Sequence, residues 1–170
     1  MEEENLIPEI IMGNTEAFTQ LYNMYAPKAY RTALLICGNV HTAEDIVQET
    51  FIKCYSTLPK LKNPKAFPSY FYRTLTRIAW KMCNRDRKTL PLEECFTAES
   101  KAEEIYTELY NAIARLDTKM RTIIVLFYFN DMPIKEIAKA TGTLEGTVKS
   151  RLYRARQELS KVLKREDYYG

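Results

Sequence analysis

A cluster of cations and hydroxyls near the C-terminus has the residue types and spacing needed to bind DNA. Arginine can hydrogen-bond a guanine edge through two donors, and Ser or Thr can contact phosphates or bases. Helical spacing would place most of these side chains on one surface. The sequence therefore predicts a DNA-binding helix. Its candidate contacts are Thr147, Lys149, Ser150, Arg151, Arg154 and Arg156.

The apolar residues around this cluster have the spacing of a helix-turn-helix motif. A stripe recurs at steps of four and three residues, as a helix with one buried face requires. The stripe consists of Val148, Leu152, Ala155, Leu159 and Val162. Upstream, Ile134, Ile137 and Ala138 are expected to face inward on a shorter helix, and Gly142 suits a tight turn with positive φ. An αα-hairpin with a solvated basic face is the alternative interpretation.

A second basic segment, residues 68–88, holds six bases and one acid. Arg73, Arg77 and Lys81 recur every four residues, which predicts one basic stripe suited to phosphates. Aromatic residues are interleaved with these cations, and aromatic rings can stack on unpaired bases. They are Phe67, Tyr70, Phe71, Tyr72 and Trp80. Some of these rings must fill the core, and we expect Phe71, Tyr72 and Ile78 to be buried.

Charge is unevenly distributed although the net charge is only +3. Residues 89–104 hold five acids and one base, whereas residues 132–165 hold nine bases and three acids. Two basic blocks on either side of an acidic stretch indicate binding to a polyanion. The alternative is that Lys and Arg only solvate the faces of helices.

The apolar periodicity predicts an all-α fold with two small helical domains joined by a flexible acidic linker. We expect an N-terminal domain over residues 1–88, a linker over 89–102 and a C-terminal domain with the helix-turn-helix over 103–170. Only five glycines occur, too few for a turn-dense β-sandwich or barrel.

Capping residues predict where two of the N-terminal helices begin and end. Asn14 is a suitable N-cap, and Gly38 with Asn39 is expected to end the helix that follows. The run Thr42 to Asp45 resembles a capping box that would start the next helix.

Several classes of protein do not fit the composition. No apolar run is long enough to cross a membrane, and the acidic N-terminus is unlike a secretory signal, so we expect a cytoplasmic protein. Cys37, Cys54, Cys83 and Cys95 form no C-x-x-C pair, which favours reduced thiols over a disulfide framework or a zinc site. His41 is the single histidine, and no catalytic motif is present. We therefore expect no enzymatic activity, no metal and no cofactor.

Three segments, in order, resemble bacterial sigma factors of the extracytoplasmic-function (ECF) class. The resemblance covers about residues 14–165. The segment EIAKATGTLEGTVKSRLYRAR resembles region 4 of that class. The segment AFPSYFYRTLTRIAWK resembles the segment of that class that binds the promoter −10 element. The region 2 contact with core polymerase is resembled by AEDIVQETFIKCY.

The resemblance implies a polymerase contact on the helix that holds the last of these segments. Asp45, Gln48, Glu49 and Ile52 recur at i, i+3, i+4 and i+7 and so share one face. In the family this face docks on the coiled-coil clamp of the polymerase β′ subunit. Without the resemblance, the same face would be interpreted as a solvated acidic surface.

The resemblance also divides the promoter contacts between the two domains. The helix-turn-helix candidates would read the −35 element. The lysine-rich stretch 60–67 is similar to a loop that captures a base flipped from the −10 strand. The residues implied in −10 binding are Lys62, Lys65, Phe67, Tyr70, Arg73, Arg77 and Lys81.

The partners implied are core RNA polymerase, through its β′ clamp and β flap, promoter DNA and an anti-sigma factor. The sequence favours a promoter-specificity subunit of RNA polymerase. A free-standing helix-turn-helix regulator is the alternative, although it would need neither a polymerase face nor a second basic-aromatic segment.

Overall fold

A computed structural model describes residues 3–84 and 101–163. Within these ranges the chain forms α-helices joined by short turns and contains no β-strand, which confirms the all-α expectation. The helices are α1 (Glu3–Ile11), α2 (Thr15–Cys37), α3 (Val40–Thr57), α4 (Phe67–Cys83), α5 (Lys101–Arg115), α6 (Thr118–Ile124), α7 (Ile134–Thr141) and α8 (Glu145–Leu163). Most of the predicted linker 89–102 lies outside the described residues.

Local hydrogen bonds set the ends of α2 as the sequence predicts. The Asn14 side-chain oxygen accepts hydrogen bonds from the backbone N–H groups of Glu16 and Ala17, at 3.0 and 3.1 Å. At the other end Gly38 has φ of 69°, and its N–H donates to the Leu34 carbonyl. A left-handed residue is the usual way to end a helix, and glycine adopts it without steric cost.

The predicted start of α3 was wrong by three residues. The helix begins at Val40, and its N-cap is Asn39, whose side-chain oxygen accepts a hydrogen bond from the Thr42 N–H at 2.9 Å. Asn39 therefore accepts the hydrogen bond of the Thr42 N–H group. In a capping box that began at Thr42, the side chain of Asp45 would have accepted it. Thr42 itself is buried inside the first turn of the helix.

Helix α1 is an element that the sequence analysis did not identify. Leu6, Ile7 and Ile10 share one face and are almost completely buried. This face packs against α2 and the short 3₁₀ turn Pro64–Ala66 that precedes α4. Helix α1 thereby supports the turn from which α4 starts.

The N-terminal core lies between α2, α3 and α4. The expected burial of three side chains is confirmed, for Phe71, Tyr72 and Ile78. Tyr22 and Tyr55, which lie on α2 and α3, are 42% and 48% exposed. Both line the open side of a groove between α2 and α3, where no further helix of the described residues covers them.

In the C-terminal half, α7 and α8 form the predicted helix-turn-helix. Gly142 has φ of 65°, and the following Thr143 N–H donates to the Ala138 carbonyl at 3.0 Å. The inward stripe of α8 is buried at its first three positions, Val148, Leu152 and Ala155. Val162 was wrongly expected inside: it lies in the last described turns of α8 and is 36% exposed.

The two halves pack against each other. Helix α4 contacts α7 and α6, and α2 contacts α5, α6 and the π-helical turn Val125–Phe129 that continues α6. Buried apolar side chains form one cluster that runs through both halves. No helix in the described residues has the length and apolarity to cross a bilayer.

Replacing Ile7 with alanine is expected to destabilise the chain by about 2–5 kcal/mol, because it leaves a cavity under α1. Ile7 is completely buried, whereas Ile11 on the same helix is 45% exposed. Urea unfolding followed by circular dichroism measures the free energy of unfolding of Ile7→Ala and of the matched control Ile11→Ala. Equal effects of the two substitutions would contradict the packing of α1.

Candidate nucleic-acid and protein interfaces

Three predicted DNA contacts lie together on the open face of α8. Lys149, Ser150 and Arg154 are exposed and lie away from the buried stripe of that helix. Thr147, in the first turn, is half-buried. The turn at Gly142 precedes α8, and in a helix-turn-helix the first residues of the second helix contact the base edges of the major groove.

Arg151 has a different environment from its neighbours. Its side chain is half-buried, and its Nη1 atom is buried without a hydrogen-bond partner in the described residues. A buried donor without a partner costs free energy. An acceptor such as a phosphate oxygen would satisfy it only if it reached this recessed position.

Arg156 is held by aromatic residues of the same domain. Its Nε atom donates a hydrogen bond to the Tyr128 hydroxyl at 2.7 Å. Its guanidinium also lies over the rings of Phe127 and Tyr128, 5.6 Å from each centroid. Arg156 is thus anchored to the turn Val125–Phe129, which limits its reach toward a ligand.

Two exposed apolar residues extend the face beyond the predicted set. Tyr153 on α8 is 64% exposed, and Leu144, directly before α8, is 79% exposed. Apolar side chains at such positions can contact thymine methyl groups. The sequence analysis missed both, although Tyr153 lies outside the apolar stripe and beside Arg154, which is a usable signal.

The basic stripe of α4 is present as predicted. Arg73, Arg77 and Lys81 are all exposed, whereas Phe71 and Leu75 on the opposite side are fully buried. The loop before α4 also presents its cations to solvent. Its predicted contacts, Lys62 and Lys65, are exposed, and the Lys65 ammonium lies 3.8 Å from the Glu4 carboxylate of α1.

Phe67 was wrongly assigned as a base-stacking residue. It is fully buried, with its ring centroid 5.2 Å from that of Tyr25 and 5.8 Å from that of Phe71. Phe67 is the first residue of α4 and lies on its apolar face, so its ring is part of the core. Burial raises the pKa of Tyr72, which packs against Phe71, to about 12.

Tyr70 is the predicted −10 aromatic that remains near the surface. It is half-buried, and its hydroxyl is hydrogen-bonded to that of Thr57 at 2.5 Å. This contact ties α4 to the end of α3 and fixes the ring beside the lysine-rich loop.

The predicted protein-binding face lies on α3. Asp45, Gln48 and Ile52 are exposed, and Glu49 is half-buried. Ile52 is 62% exposed.

An apolar groove of about 1120 Å³ adjoins this face between α2 and α3. Gln48 and Ile52 lie on its rim, and Tyr22, Phe51 and Tyr55 contribute its aromatic lining. An apolar groove with a polar edge is the anatomy of a protein-binding surface. Within residues 3–84 and 101–163, no cluster of His, Cys, Asp and Glu has the makeup of a metal site.

Two family models match the chain in the order of its halves. "Sigma-70 region 2" matches residues 21–89, and "Sigma-70, region 4" matches residues 106–159. The first therefore spans α3 and α4, and the second spans the helix-turn-helix.

Relatives of known class align over most of the chain. The RNA polymerase sigma factor SigV of Bacillus subtilis is 36% identical over 142 residues, which cover 81% of this chain and 86% of SigV. The ECF RNA polymerase sigma factor SigW of the same organism is 28% identical and covers 93% of this chain and 95% of SigW.

Solved structures share the fold. CnrH, in complex with the cytosolic domain of CnrY, superposes with a TM-score of 0.75 at 22% identity and covers 96% of this chain and 98% of CnrH. The sigma factor RpoE of Bartonella quintana, in complex with the anti-sigma factor NepR, gives 0.68 at 22% identity and covers 86% of this chain and 96% of RpoE.

Proposed function

This chain belongs to the ECF class of RNA polymerase sigma factors and directs RNA polymerase to promoters, and we propose how its two halves divide that work. The N-terminal half binds core polymerase through α3 and promoter −10 DNA through α4 and the loop before it. The C-terminal half reads the −35 element through α8. The boundaries of these domains are 1–88 and 103–170.

The observation that carries the −35 assignment is the exposed cluster on the recognition helix of a helix-turn-helix. Ser150 and Arg154 lie together there, opposite the buried stripe, and the exposed Lys149 flanks them. Arg154 is the best placed to pair with a guanine, because its side chain is exposed and no residue in 3–84 or 101–163 forms a hydrogen bond or ion pair with its guanidinium. The margins of the proposed −35 contact surface hold Thr147, Arg151 and Arg156. We also assign the exposed Tyr153 to this surface.

The −10 contact combines electrostatic and stacking interactions. Arg73, Arg77 and Lys81 bind the phosphates of one strand, and Lys62 and Lys65 attract DNA to the loop. Tyr70 is the aromatic surface next to that loop. Phe67 contributes indirectly, because its burial anchors the first turn of α4.

The polymerase contact is assigned to Asp45, Gln48, Glu49 and Ile52. Ile52 supplies apolar area at the edge of the groove, and the carboxylates add charge complementarity toward a basic partner. The β flap of polymerase is the expected contact of the C-terminal half. The protein acts in the cytoplasm by binding rather than catalysis.

An anti-sigma factor completes the proposed partners. RpoE is named in complex with the anti-sigma factor NepR and CnrH in complex with the cytosolic domain of CnrY, and this chain shares the fold of both. A restraining partner would have to cover the α3 face or the α8 face.

The function is tested by run-off transcription with bacterial core RNA polymerase, with and without this protein, on fragments of the source genome at a stated salt concentration. New start sites that share upstream −35 and −10 elements are expected. Tight duplex binding with no new start sites and no polymerase association would instead favour the free-standing regulator.

Arg154→Ala is expected to weaken −35 duplex binding by about 1–3 kcal/mol and to relax selectivity at one base pair. Fluorescence anisotropy with a −35 duplex and its single-base variants measures both effects. Lys161→Ala is the matched control, since Lys161 is an exposed cation on the same helix near Glu158. Equal losses in both variants would remove Arg154 from base recognition.

Ile52→Ala is expected to weaken binding to core polymerase by more than about 1 kcal/mol, as truncation of an apolar anchor does. The thermal unfolding midpoint should change little, because the side chain is largely exposed. Surface plasmon resonance with immobilised core polymerase compares this variant with Ile11→Ala, an exposed isoleucine on α1. Unchanged affinity for Ile52→Ala would contradict the α3 assignment.

A further inference from the structure

Two cysteines of the N-terminal half lie against each other although they are distant in the sequence. Cys37 is the last residue of α2, and Cys83 is the last residue of α4. Their side chains are hydrogen-bonded to each other, and no cysteine in the described residues forms a disulfide. The pair is therefore a dithiol whose two sulfur atoms already meet, as formation of a disulfide requires.

Exposure distinguishes the two sulfur atoms of this pair. Cys37 is 4% exposed, and its Sγ atom lies 3.4 Å from the Asn39 carbonyl oxygen at the end of α2. Cys83 is half-buried: it packs against the buried core, and the exposed Asn84 follows it. A small solute therefore meets Cys83 before it meets Cys37.

Arg121 of α6 brings a positive charge to the pair. Its Nη1 group donates a hydrogen bond at 2.7 Å to the carbonyl of Ile36, the residue before Cys37. Burial lowers the pKa of Arg121, whereas Cys83 and Cys37 both act in the opposite direction, so its charge lies close to both sulfur atoms. A cation near a thiol favours the thiolate, which is the form that attacks disulfides.

The proton of the pair is held by Cys37. Its hydrogen bond to Cys83 and its burial raise the pKa of Cys37 well above that of an ordinary thiol. When one of the two sulfur atoms carries a negative charge, that atom is therefore Cys83, which is also the more exposed one. Cys83 is placed to react first, and Cys37 is placed to react with the bond that Cys83 forms.

We propose that Cys37 and Cys83 form a redox-active dithiol whose substrates are low-molecular-weight disulfides, and that its oxidation links the end of α2 to the end of α4. The proposal goes beyond promoter recognition and does not depend on it. The state of this site follows the balance of thiols and disulfides in its surroundings.

The exchange takes two steps. The Cys83 thiolate attacks one sulfur atom of the small disulfide, forms a mixed disulfide with it and releases the other half as a thiolate. Cys37 then gives its proton to this thiolate, and its sulfur attacks the Sγ atom of Cys83 and displaces the second half. The two cysteines are oxidised to one disulfide, and the small disulfide is reduced to two thiols.

Cys54 of α3 provides a comparison within the same half. It is 2% exposed, and its side chain is hydrogen-bonded to Thr74 rather than to a second thiol. Burial raises the pKa of Cys54 to about 12. Because Cys54 lacks both access to solvent and a neighbouring thiol, we expect it to stay reduced.

The test equilibrates the reduced full-length protein with oxidised and reduced glutathione at a series of ratios. The remaining thiols are alkylated in denaturant, and the digested chain is analysed by mass spectrometry. We expect a peptide that joins Cys37 to Cys83, with Cys54 alkylated. The link closes a loop that contains α3, so the midpoint of thermal unfolding should rise by about 5–15 °C and return when dithiothreitol is added.

Three variants assign the roles of the two sulfur atoms. Cys37→Ser is expected to hold one glutathione on Cys83 as a mixed disulfide, and Cys83→Ser to form no cross-link and show no shift of the midpoint. Cys95→Ser is the matched control, since Cys95 lies outside the described residues, and it should form the same cross-link as the wild type. Circular dichroism checks that each variant is helical, and the half-buried position of Cys83 lets Cys83→Ser decide the test if Cys37→Ser loses its helices.

Three results would overturn the inference. They are the lack of a Cys37–Cys83 peptide at every ratio, a wild-type chain that keeps glutathione on Cys83, and a disulfide that joins Cys83 to Cys95 instead. Run-off transcription with the reduced protein tests the proposed function separately, so failure of either leaves the other standing.

Discussion

Burial of the apolar face of α4 against α2 and α3 is the interaction on which the rest of the structure depends. Phe67, Phe71 and Leu75 are all completely buried there. Their burial fixes the rotation of α4 about its axis. That rotation determines which side chains of α4 are left to contact solvent or other helices. Arg73 and Arg77 are left exposed, and Trp80 donates its Nε1 hydrogen bond to Thr122 of the C-terminal half.

Helix α8 follows the same logic on a smaller scale. Val148, Leu152 and Ala155 are buried against the rest of the C-terminal half, which leaves Lys149, Ser150 and Arg154 on the opposite face. Each half therefore uses one buried stripe to orient one exposed set of cations. A chain built in this way needs no cavity to bind DNA, only two helices held at a fixed rotation.

The packing of the two halves against each other adds a constraint that neither half has alone. The side chains of Asn130 and Thr32 hydrogen-bond each other across the junction, whereas the Thr76 hydroxyl has no hydrogen-bond partner in the part of the chain that the structure describes.

Local signals in the sequence were sufficient for much of the fold and of the candidate site. Asn14, Gly38 and Gly142 mark helix ends through contacts within a few residues, and the stripe from Val148 follows from periodicity. These features depend on short-range hydrogen bonds and on the helical repeat, so a single sequence contains them. The exposed positions of Arg73, Arg77 and Arg154 followed from the same periodicity, and their DNA-binding roles stay predictions.

Long-range packing decided what those signals could not. Phe67 is a core residue rather than a stacking surface because α2 brings Tyr25 against it. Arg156 is anchored because a turn 28 residues away presents Tyr128 to it. Helix α1 and the junction of the two halves likewise depend on partners distant in the chain. Periodicity tells which side of a helix is buried, but only the tertiary structure determines what covers it.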